Sequence, residues 1–202
     1  MQVEVSNLYP VPLGKTQFTG KITKKMTDYA LLCPKNENVG NLTSADKNVL
    51  ERKEFKVLKK FCVDSMNYFF QRTMRPKNDV EIYITQSWLN ISNTHQYHHK
   101  HHHPNSYYSG VFYLHANPEV DKISFSNPNK FFLYNDPESF TVWNSNVWEV
   151  PAGTGILYMF PSNFEHEVPK VKNFEKRISL SFNTWIRGNL GVESESTFIS
   201  FK

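Results

Sequence analysis

The stretch YHHKHHHPNSYYSGVFYLH, residues 97–115, joins a dense histidine run to an apolar run typical of a β-strand. Seven of the eight histidines of the chain lie within the 21 residues 95–115. In an extended segment residues i and i+2 point to the same side, so His99 with His101, or His101 with His103, can present two imidazoles to one metal ion. The run by itself is equally compatible with a solvated loop, so its role depends on what surrounds it.

The sequence around this stretch predicts short strands separated by turn residues. The predicted strands are residues 80–85, 87–91, 109–114, 122–125, 130–134, 147–150, 155–160 and 177–182. A series of such strands without a second helical pattern indicates an all-β sandwich or barrel.

One long amphipathic helix is predicted before these strands. A cap at Ser44 or Asp46 is followed by apolar residues near helical spacing, and the helix should end before Pro76. Residues 1–45 contain short apolar stretches broken by proline and glycine, which favour early strands and loops. We therefore expect one helical layer packed on the β-structure, in a single domain over residues 1–202.

Length and composition narrow the function classes. A chain of 202 residues fits one domain, and its net charge of +4 falls short of that expected of a dedicated nucleic-acid binder. No apolar run has the length of a membrane span, and the first residues lack the basic and then apolar pattern of a signal peptide. These features predict a cytoplasmic protein, in which Cys33 and Cys62 are reduced thiols.

A second group of candidate residues lies downstream. His166 follows the predicted strand 155–160 and precedes the strand 177–182, so a barrel can bring it opposite the histidine run as a third ligand. Arg177 begins the later strand, and Ser179, two residues on, faces the same side. A guanidinium beside a hydroxyl is suited to binding a carboxylate.

Several short motifs follow one another in order between residues 87 and 183. They are Ser87-Trp88, Tyr97-xxx-His101-x-His103-Pro104-Asn105-Ser106, Ser109-Gly110-Val111-Phe112-Tyr113-Leu114, Phe160-Pro161-Ser162, His166-Glu167-Val168 and Arg177-Ile178-Ser179-Leu180-Ser181-Phe182-Asn183. With these motifs the segment resembles the non-haem iron, 2-oxoglutarate-dependent oxygenases, and is most similar to their phage and bacterial branch. The resemblance implies a mainly β fold, a double-stranded β-helix (jelly roll), in residues 81–202. Residues 1–80 would then supply N-terminal strands and the helix that supports the barrel.

The resemblance also implies a metal site. Its ligands would be His101 and His103, rather than His99, because Tyr97 and the strand that follows set the frame of the motif. His166 would be the third ligand. The implied cofactors are Fe(II), the co-substrate 2-oxoglutarate and O₂.

The same resemblance implies which residues bind the co-substrate and what class of substrate is hydroxylated. Arg177 would bind the distal carboxylate of 2-oxoglutarate, with help from Tyr113 and Ser179. The implied activity is a dioxygenase that hydroxylates an unidentified protein, peptide or small molecule; a membrane partner is not expected and nucleic acid is not favoured. Three further histidines match no family position and would line the mouth of the site: His98, His99 and His102.

One position departs from the family pattern. Where the wider family has a carboxylate ligand this chain has His103, and no Asp or Glu occurs between Glu81 and Glu119. Three neutral imidazoles leave open positions for a dianionic co-substrate and O₂, but they also suit Zn²⁺, Ni²⁺ or Cu²⁺. Two other interpretations stay open: a cupin-type metalloprotein, and a non-enzymatic metal-binding or virion protein that retains the fold.

Overall fold

The structure of the protein is a computed structural model that describes residues 1–129, 136–172 and 175–201. The helices are α1 (Lys24–Leu32) and α2 (Lys56–Met74), with 3₁₀ turns at Val49–Glu51 and Lys53–Phe55. The strands are β1 (Gly14–Gln17), β2 (Lys35–Asn38), β3 (Asn41–Ser44), β4 (Val80–Ser92), β5 (His98–His101), β6 (Tyr108–His115), β7 (Lys122–Ser126), β8 (Val147–Pro151), β9 (Ile156–Pro161), β10 (His166–Val168), β11 (Arg177–Leu190) and β12 (Ile199–Phe201).

The strands form two antiparallel sheets. The larger sheet has the order β1-β9-β6-β11-β4-β3-β2, with β12 paired to β11, and the smaller has the order β5-β10-β7-β8. Side chains from both sheets line one pocket between them. This arrangement confirms the predicted mainly β jelly roll. In the described part of the chain no helix is long and apolar enough to cross a membrane.

The central strand β11 explains how the core and the pocket are separated. Its side chains alternate, so Ile178, Leu180 and Phe182 join the main hydrophobic core on one face. The other face of β11 carries polar side chains that are also buried, and these are Arg177, Ser179, Ser181 and Asn183.

Helix α2 covers the apolar face of the larger sheet. It buries Leu58, Cys62, Met66, Phe69 and Phe70, which recur at three- and four-residue spacing along one stripe. These side chains belong to the same core as the apolar side of β11. The helix therefore stabilises the sheet from outside and leaves the space between the sheets to the polar residues.

The N-terminal third differs from the sequence prediction in two ways. Ser44 lies in β3 rather than capping a helix: its Oγ accepts from the Leu89 N–H and donates to the Asp46 carbonyl. The long helix begins only at Lys56, after the two 3₁₀ turns. Helix α1 was expected to be strand and loop, yet Thr23 caps it by accepting from the Met26 N–H at 3.4 Å.

The strand predictions differ in detail as well. The segments 80–85 and 87–91 form one continuous strand, β4. The predicted strand at 130–134 lies outside the described residues. Strands β5 and β10 were not predicted, and they are the strands that carry histidines into the site.

Candidate metal centre

Three histidines converge between the two sheets. His101 ends β5, His103 follows it by two residues, and His166 begins β10, where it pairs directly with His101. One nitrogen from each ring can be chosen so that all three lie within 4.8 Å of one another. The ring centroids of His101 and His166 are 4.4 Å apart, and those of His103 and His166 are 5.0 Å apart. The structure thus brings together the three histidines that the sequence analysis selected.

The outer nitrogen of each ring is held by the protein. Nδ1 of His101 lies 2.7 Å from the His99 carbonyl oxygen, and Nδ1 of His166 lies 2.9 Å from that of Phe164. A carbonyl oxygen only accepts, so each Nδ1 must donate its hydrogen, and Nε2 keeps a free lone pair. This is the tautomer that a metal ligand requires.

His103 is held by side chains instead. Its Nδ1 lies 2.8 Å from Asn183 Oδ1 and 2.7 Å from Ser109 Oγ. The Ser109 hydroxyl also donates to Asn183 Oδ1 at 3.0 Å and lies 2.7 Å from the Ser162 hydroxyl. This buried network fixes the orientation of the His103 ring.

Burial keeps the three imidazoles uncharged. Desolvation, with a smaller contribution from the neighbouring rings, lowers the pKa of His103 to about 4. The same causes hold the pKa of His166 well below its ordinary value, and desolvation lowers the pKa of His101. At neutral pH all three rings therefore offer a lone pair rather than a proton.

The donor set fits a first-row metal ion. Three neutral imidazole nitrogens suit iron, zinc, copper or nickel, and a three-residue face leaves coordination positions open for other ligands. Among the described residues no carboxylate joins this group. Among the described residues the candidate centre is therefore an all-histidine face, and residues 82–118 contain no Asp or Glu.

Arg177 lies on the same pocket wall, at the start of β11, the strand that pairs with β6. It is 4 % exposed, and its Nη1 donates to the Lys122 carbonyl oxygen at 3.1 Å. The guanidinium carbon lies 5.3 Å from the centre of the Tyr113 ring. Within the described residues, Arg177 has no carboxylate at ion-pair distance. The guanidinium is thus available to an anion.

Ser179 lines this end of the pocket, and Tyr113 lies beside it but is not among the residues that line the pocket. They are paired in the β6–β11 register, and both are buried. The Tyr113 hydroxyl has no hydrogen-bond partner among the described residues, and burial raises the pKa of Tyr113 to about 12, so it stays a donor. A buried donor without a partner beside an available guanidinium fits a bound carboxylate.

The remaining histidines of the run differ from one another. His98 lines the pocket, stacks on His101 at 4.3 Å and has Nε2 3.2 Å from Asn38 Nδ2. His102 lies between two of the converging histidines and is exposed, and neither it nor His99 is among the pocket residues. The expectation that all three line the mouth is therefore met by His98 alone.

Sequence reasoning missed several polar residues of the site. Asn183 was recognised as part of a motif but given no role, whereas the structure places it against His103. Two further asparagines, Asn41 and Asn90, line the pocket from β3 and β4. Their only sequence signal is a polar residue at an inward-facing position of a strand.

The structure is a jelly roll of the double-stranded β-helix class, in which three histidines that could hold one metal ion share a pocket with a buried arginine. Residues 86–183 match the family model described as "Putative 2OG-Fe(II) oxygenase". Over these residues, slightly less than half of the chain, the sequence is similar to the 2OG-Fe(II) oxygenase family. No curated protein sequence matches the chain significantly.

Solved structures share the fold at low sequence identity. A prolyl-4-hydroxylase from Pseudomonas putida is 13 % identical, with 88 % of this chain and 92 % of that chain covered and a TM-score of 0.56. HygX from Streptomyces hygroscopicus, with nickel, 2-oxoglutarate and hygromycin B bound, is 8 % identical, with coverage of 86 % and 82 % and a TM-score of 0.61. A prolyl hydroxylase from Trichoplax adhaerens, in complex with a hypoxia inducible factor peptide fragment, is 13 % identical, with coverage of 86 % and 83 % and a TM-score of 0.56.

Proposed function

We propose that the protein is an Fe(II)- and 2-oxoglutarate-dependent dioxygenase in which His101, His103 and His166 hold the metal. The observation that carries this assignment is the convergence of the three rings within 4.8 Å, each with Nδ1 engaged so that Nε2 is free. Their uncharged state at neutral pH means that the metal does not compete with bound protons.

Arg177, Tyr113 and Ser179 would bind the distal carboxylate of 2-oxoglutarate. Arg177 offers the charge, and the Tyr113 hydroxyl offers a buried donor without a partner among the described residues. Both donors are held in place before the ligand arrives, Arg177 by the Lys122 carbonyl and Tyr113 by full burial. Such preorganisation reduces the cost of ordering the site on binding.

The chemistry of this family couples two oxidations. With Fe(II) bound, 2-oxoglutarate and O₂ give succinate and CO₂ while a C–H bond of the substrate becomes C–OH. The protein's own contribution is to hold the metal and the co-substrate and to exclude water. Water is excluded by the apolar side chains that line the pocket, which are Val111, Ile123 and Phe160.

The substrate is a protein, a peptide or a small organic molecule. The structures that share this fold include one with a peptide fragment and one with hygromycin B. The resemblance of the motifs to prolyl hydroxylases favours a protein or peptide, and the fold itself hosts both classes.

Anaerobic reconstitution tests the proposal. Fe(II) and 2-oxoglutarate added to the protein should give a metal-to-ligand charge-transfer band, and admission of O₂ should release succinate. His166→Ala and Arg177→Ala should abolish the band. His102→Ala is the matched control, because His102 lies between two proposed ligands but is exposed, and it should leave the band intact.

Two results would contradict the proposal. Metal binding without a band or succinate would instead favour a metal-binding protein that retains the fold. Loss of the band in His102→Ala together with its retention in His103→Ala would show that the ligand frame is wrong.

A further inference from the structure

A second cavity, with a volume of about 400 Å³, lies between the N-terminal segment and the smaller sheet. Residues 6–11 line it from the N-terminal side, and we call it the arm groove. Its other lining residues include Trp143 and Trp148, which are 47 % and 44 % exposed, and the rings of Phe125 and Phe164. This volume and this largely apolar lining are typical of ligand sites.

Strand register connects the arm groove to the candidate metal centre. His101 pairs with His166, which pairs with Phe125. Phe125 pairs in turn with Trp148. Directly paired residues of antiparallel strands point to the same face, so these four side chains form one row across the smaller sheet. Because neighbouring strands are about 4.8 Å apart, the row places Trp148 about 10 Å from His166.

One layer of rings separates the groove from the proposed metal ligands. The rings of Phe125 and Phe164 stack with centroids 5.1 Å apart, and the Phe125 ring lies 6.1 Å from that of His166. The carbonyl oxygen of Phe164 lies 2.9 Å from Nδ1 of His166. Phe164 therefore lines the groove with its ring and holds a proposed ligand with its backbone.

The lining of the groove offers ring faces rather than free polar groups. Trp143 Nε1 donates to Asn7 Oδ1 at 2.8 Å. Asn127 Nδ2 donates to the Ser145 carbonyl and Asn127 Oδ1 accepts from the Asn129 N–H, both at 2.8 Å. None of the described residues that line the groove is charged. A charged group would lose its hydration there without gaining an ionic partner, whereas an uncharged ring gains stacking contacts.

The position of the groove indicates the length of its occupant. In the proposed enzyme the metal and 2-oxoglutarate fill the pocket between the sheets, so the substrate reaches the metal from outside this pocket. A molecule that touches Trp148 has to extend about 10 Å to reach His166, and an extended peptide covers this distance with about three residues. A single small ring does not span it.

We propose that the arm groove binds an uncharged, ring-bearing residue of a peptide substrate, about three to four residues along the chain from the residue that is hydroxylated. The ring stacks on Trp143 or Trp148. This inference rests on the proposed function. Residues 6–11 lie outside the family match at residues 86–183, so this wall of the groove belongs to this chain rather than to the family pattern.

The binding test needs neither metal nor turnover. Capped pentapeptides with one variable central residue, flanked by glycines, are titrated into the full chain, and the change in tryptophan fluorescence gives Kd. The central residue is phenylalanine, proline, lysine or glutamate. Peptides with phenylalanine or proline should bind about tenfold more tightly than those with lysine or glutamate. This comparison uses only the wild-type protein, so it does not depend on a variant folding.

Two variants then locate the contact. Trp143→Ala and Trp148→Ala should each raise Kd for the phenylalanine peptide by up to about tenfold, the value of one stacked ring pair. Tyr68→Ala is the matched control, because Tyr68 is an exposed aromatic residue on α2 that does not line the groove. It should leave this Kd unchanged, and urea denaturation checks that all three variants are folded.

Turnover relates the groove to the metal. In the Fe(II)-loaded chain with 2-oxoglutarate and O₂, longer capped peptides that contain one phenylalanine should gain one oxygen atom about three to four residues from that ring. Tandem mass spectrometry locates the added oxygen.

Several results would overturn the inference. They are equal Kd values for ring-bearing and charged peptides, an unchanged Kd in both tryptophan variants, or hydroxylation at a position unrelated to the ring. Tighter binding of a free capped amino acid than of any peptide would also overturn it, by assigning the groove to a small molecule. Peptide binding in the groove of a protein that never consumes 2-oxoglutarate would instead refute the proposed function.

Discussion

Replacement of Asn183 by leucine should weaken metal binding without unfolding the protein. Asn183 Oδ1 accepts from Nδ1 of His103 at 2.8 Å and from the Ser109 hydroxyl at 3.0 Å, so it fixes the ring that stands where the family has a carboxylate. Loss of such an outer partner typically costs 10–100-fold in metal affinity. Ser109 Oγ still lies 2.7 Å from the same nitrogen and can accept, so we expect about tenfold, or about 1.4 kcal/mol.

The double variant Asn183→Leu/Ser109→Ala removes both acceptors and should approach about 100-fold. The assay is competition with a chromophoric chelator for Fe(II) and for Zn²⁺ under anaerobic conditions, with unfolding by urea measured in parallel. Asn183→Asp keeps an acceptor oxygen and should restore wild-type affinity.

A matched control separates this effect from a general loss of stability. Ser44 is fully buried and its Oγ accepts from the Leu89 N–H, but it lies outside the metal centre. Ser44→Ala should lower the free energy of unfolding and leave metal affinity unchanged. Wild-type metal affinity in the double variant would refute the idea that this network orients His103.

Three further predictions follow from the same structure. The metal-free protein should lose stability as the pH falls from 7 to 5, because burial lowers the pKa of His98 to about 3 and of His103 to about 4. In this range the unfolded chain binds protons that the native state does not, which lowers the free energy of unfolding by about 2 kcal/mol for each ring. Urea denaturation at the two pH values measures the loss. Arg177→Lys keeps the charge but loses the planar guanidinium fork, so the KM for 2-oxoglutarate should rise about tenfold. Arg177→Met, which also loses the charge, should raise this KM further. An unchanged KM in the methionine variant would contradict the assignment of Arg177 to the co-substrate. Gly110→Ala would place a Cβ 2.2 Å from Phe182 Cζ, so it should cost about 1–3 kcal/mol of unfolding free energy, and a fully stable alanine variant would show that β6 and β11 can separate there.

The sequence predicted the core strands best where alternation or an apolar run is strong. β6, β9 and β11 begin within a residue of their predicted starts because their side chains are buried on both faces. Helix α1 was missed because it is only nine residues long and buries just Met26 and Ala30. Its cap residue, Thr23, was the available signal.

The strands that carry the histidines could not be predicted from local pattern. β5 reads HHKH and β10 reads HEV, which lack the β-branched and aromatic residues that favour strands. They become strands by pairing with each other, and β10 also pairs with β7; this pairing is a property of the folded barrel. The candidate ligands were nevertheless selected, because the motif frame and the position of His166 relative to the core strands do not depend on local propensity.

Residues whose role depends on contacts between distant segments could not be identified from the sequence. Asn41 lines the pocket only because the hairpin β2–β3 pairs with β4 and contacts the histidine strand. Asn183 lies 80 residues from His103 in sequence. A single sequence does not give the strand register between such segments. A polar residue at one of these positions is therefore recognised only as an interruption of the apolar pattern, and its partner cannot be identified.

In the proposed site, His103 in place of a carboxylate ligand changes the charge that is presented to the substrate. A divalent metal on three neutral imidazoles keeps its full charge, and 2-oxoglutarate, a dianion, offsets that charge but not the additional charge of Arg177. The loaded site is therefore one unit more positive than one with a carboxylate ligand. A cationic group next to the metal would be repelled in this low-dielectric pocket, whereas a neutral substrate group pays no such cost. The absence of a carboxylate ligand thus favours a substrate whose reacting group carries no positive charge.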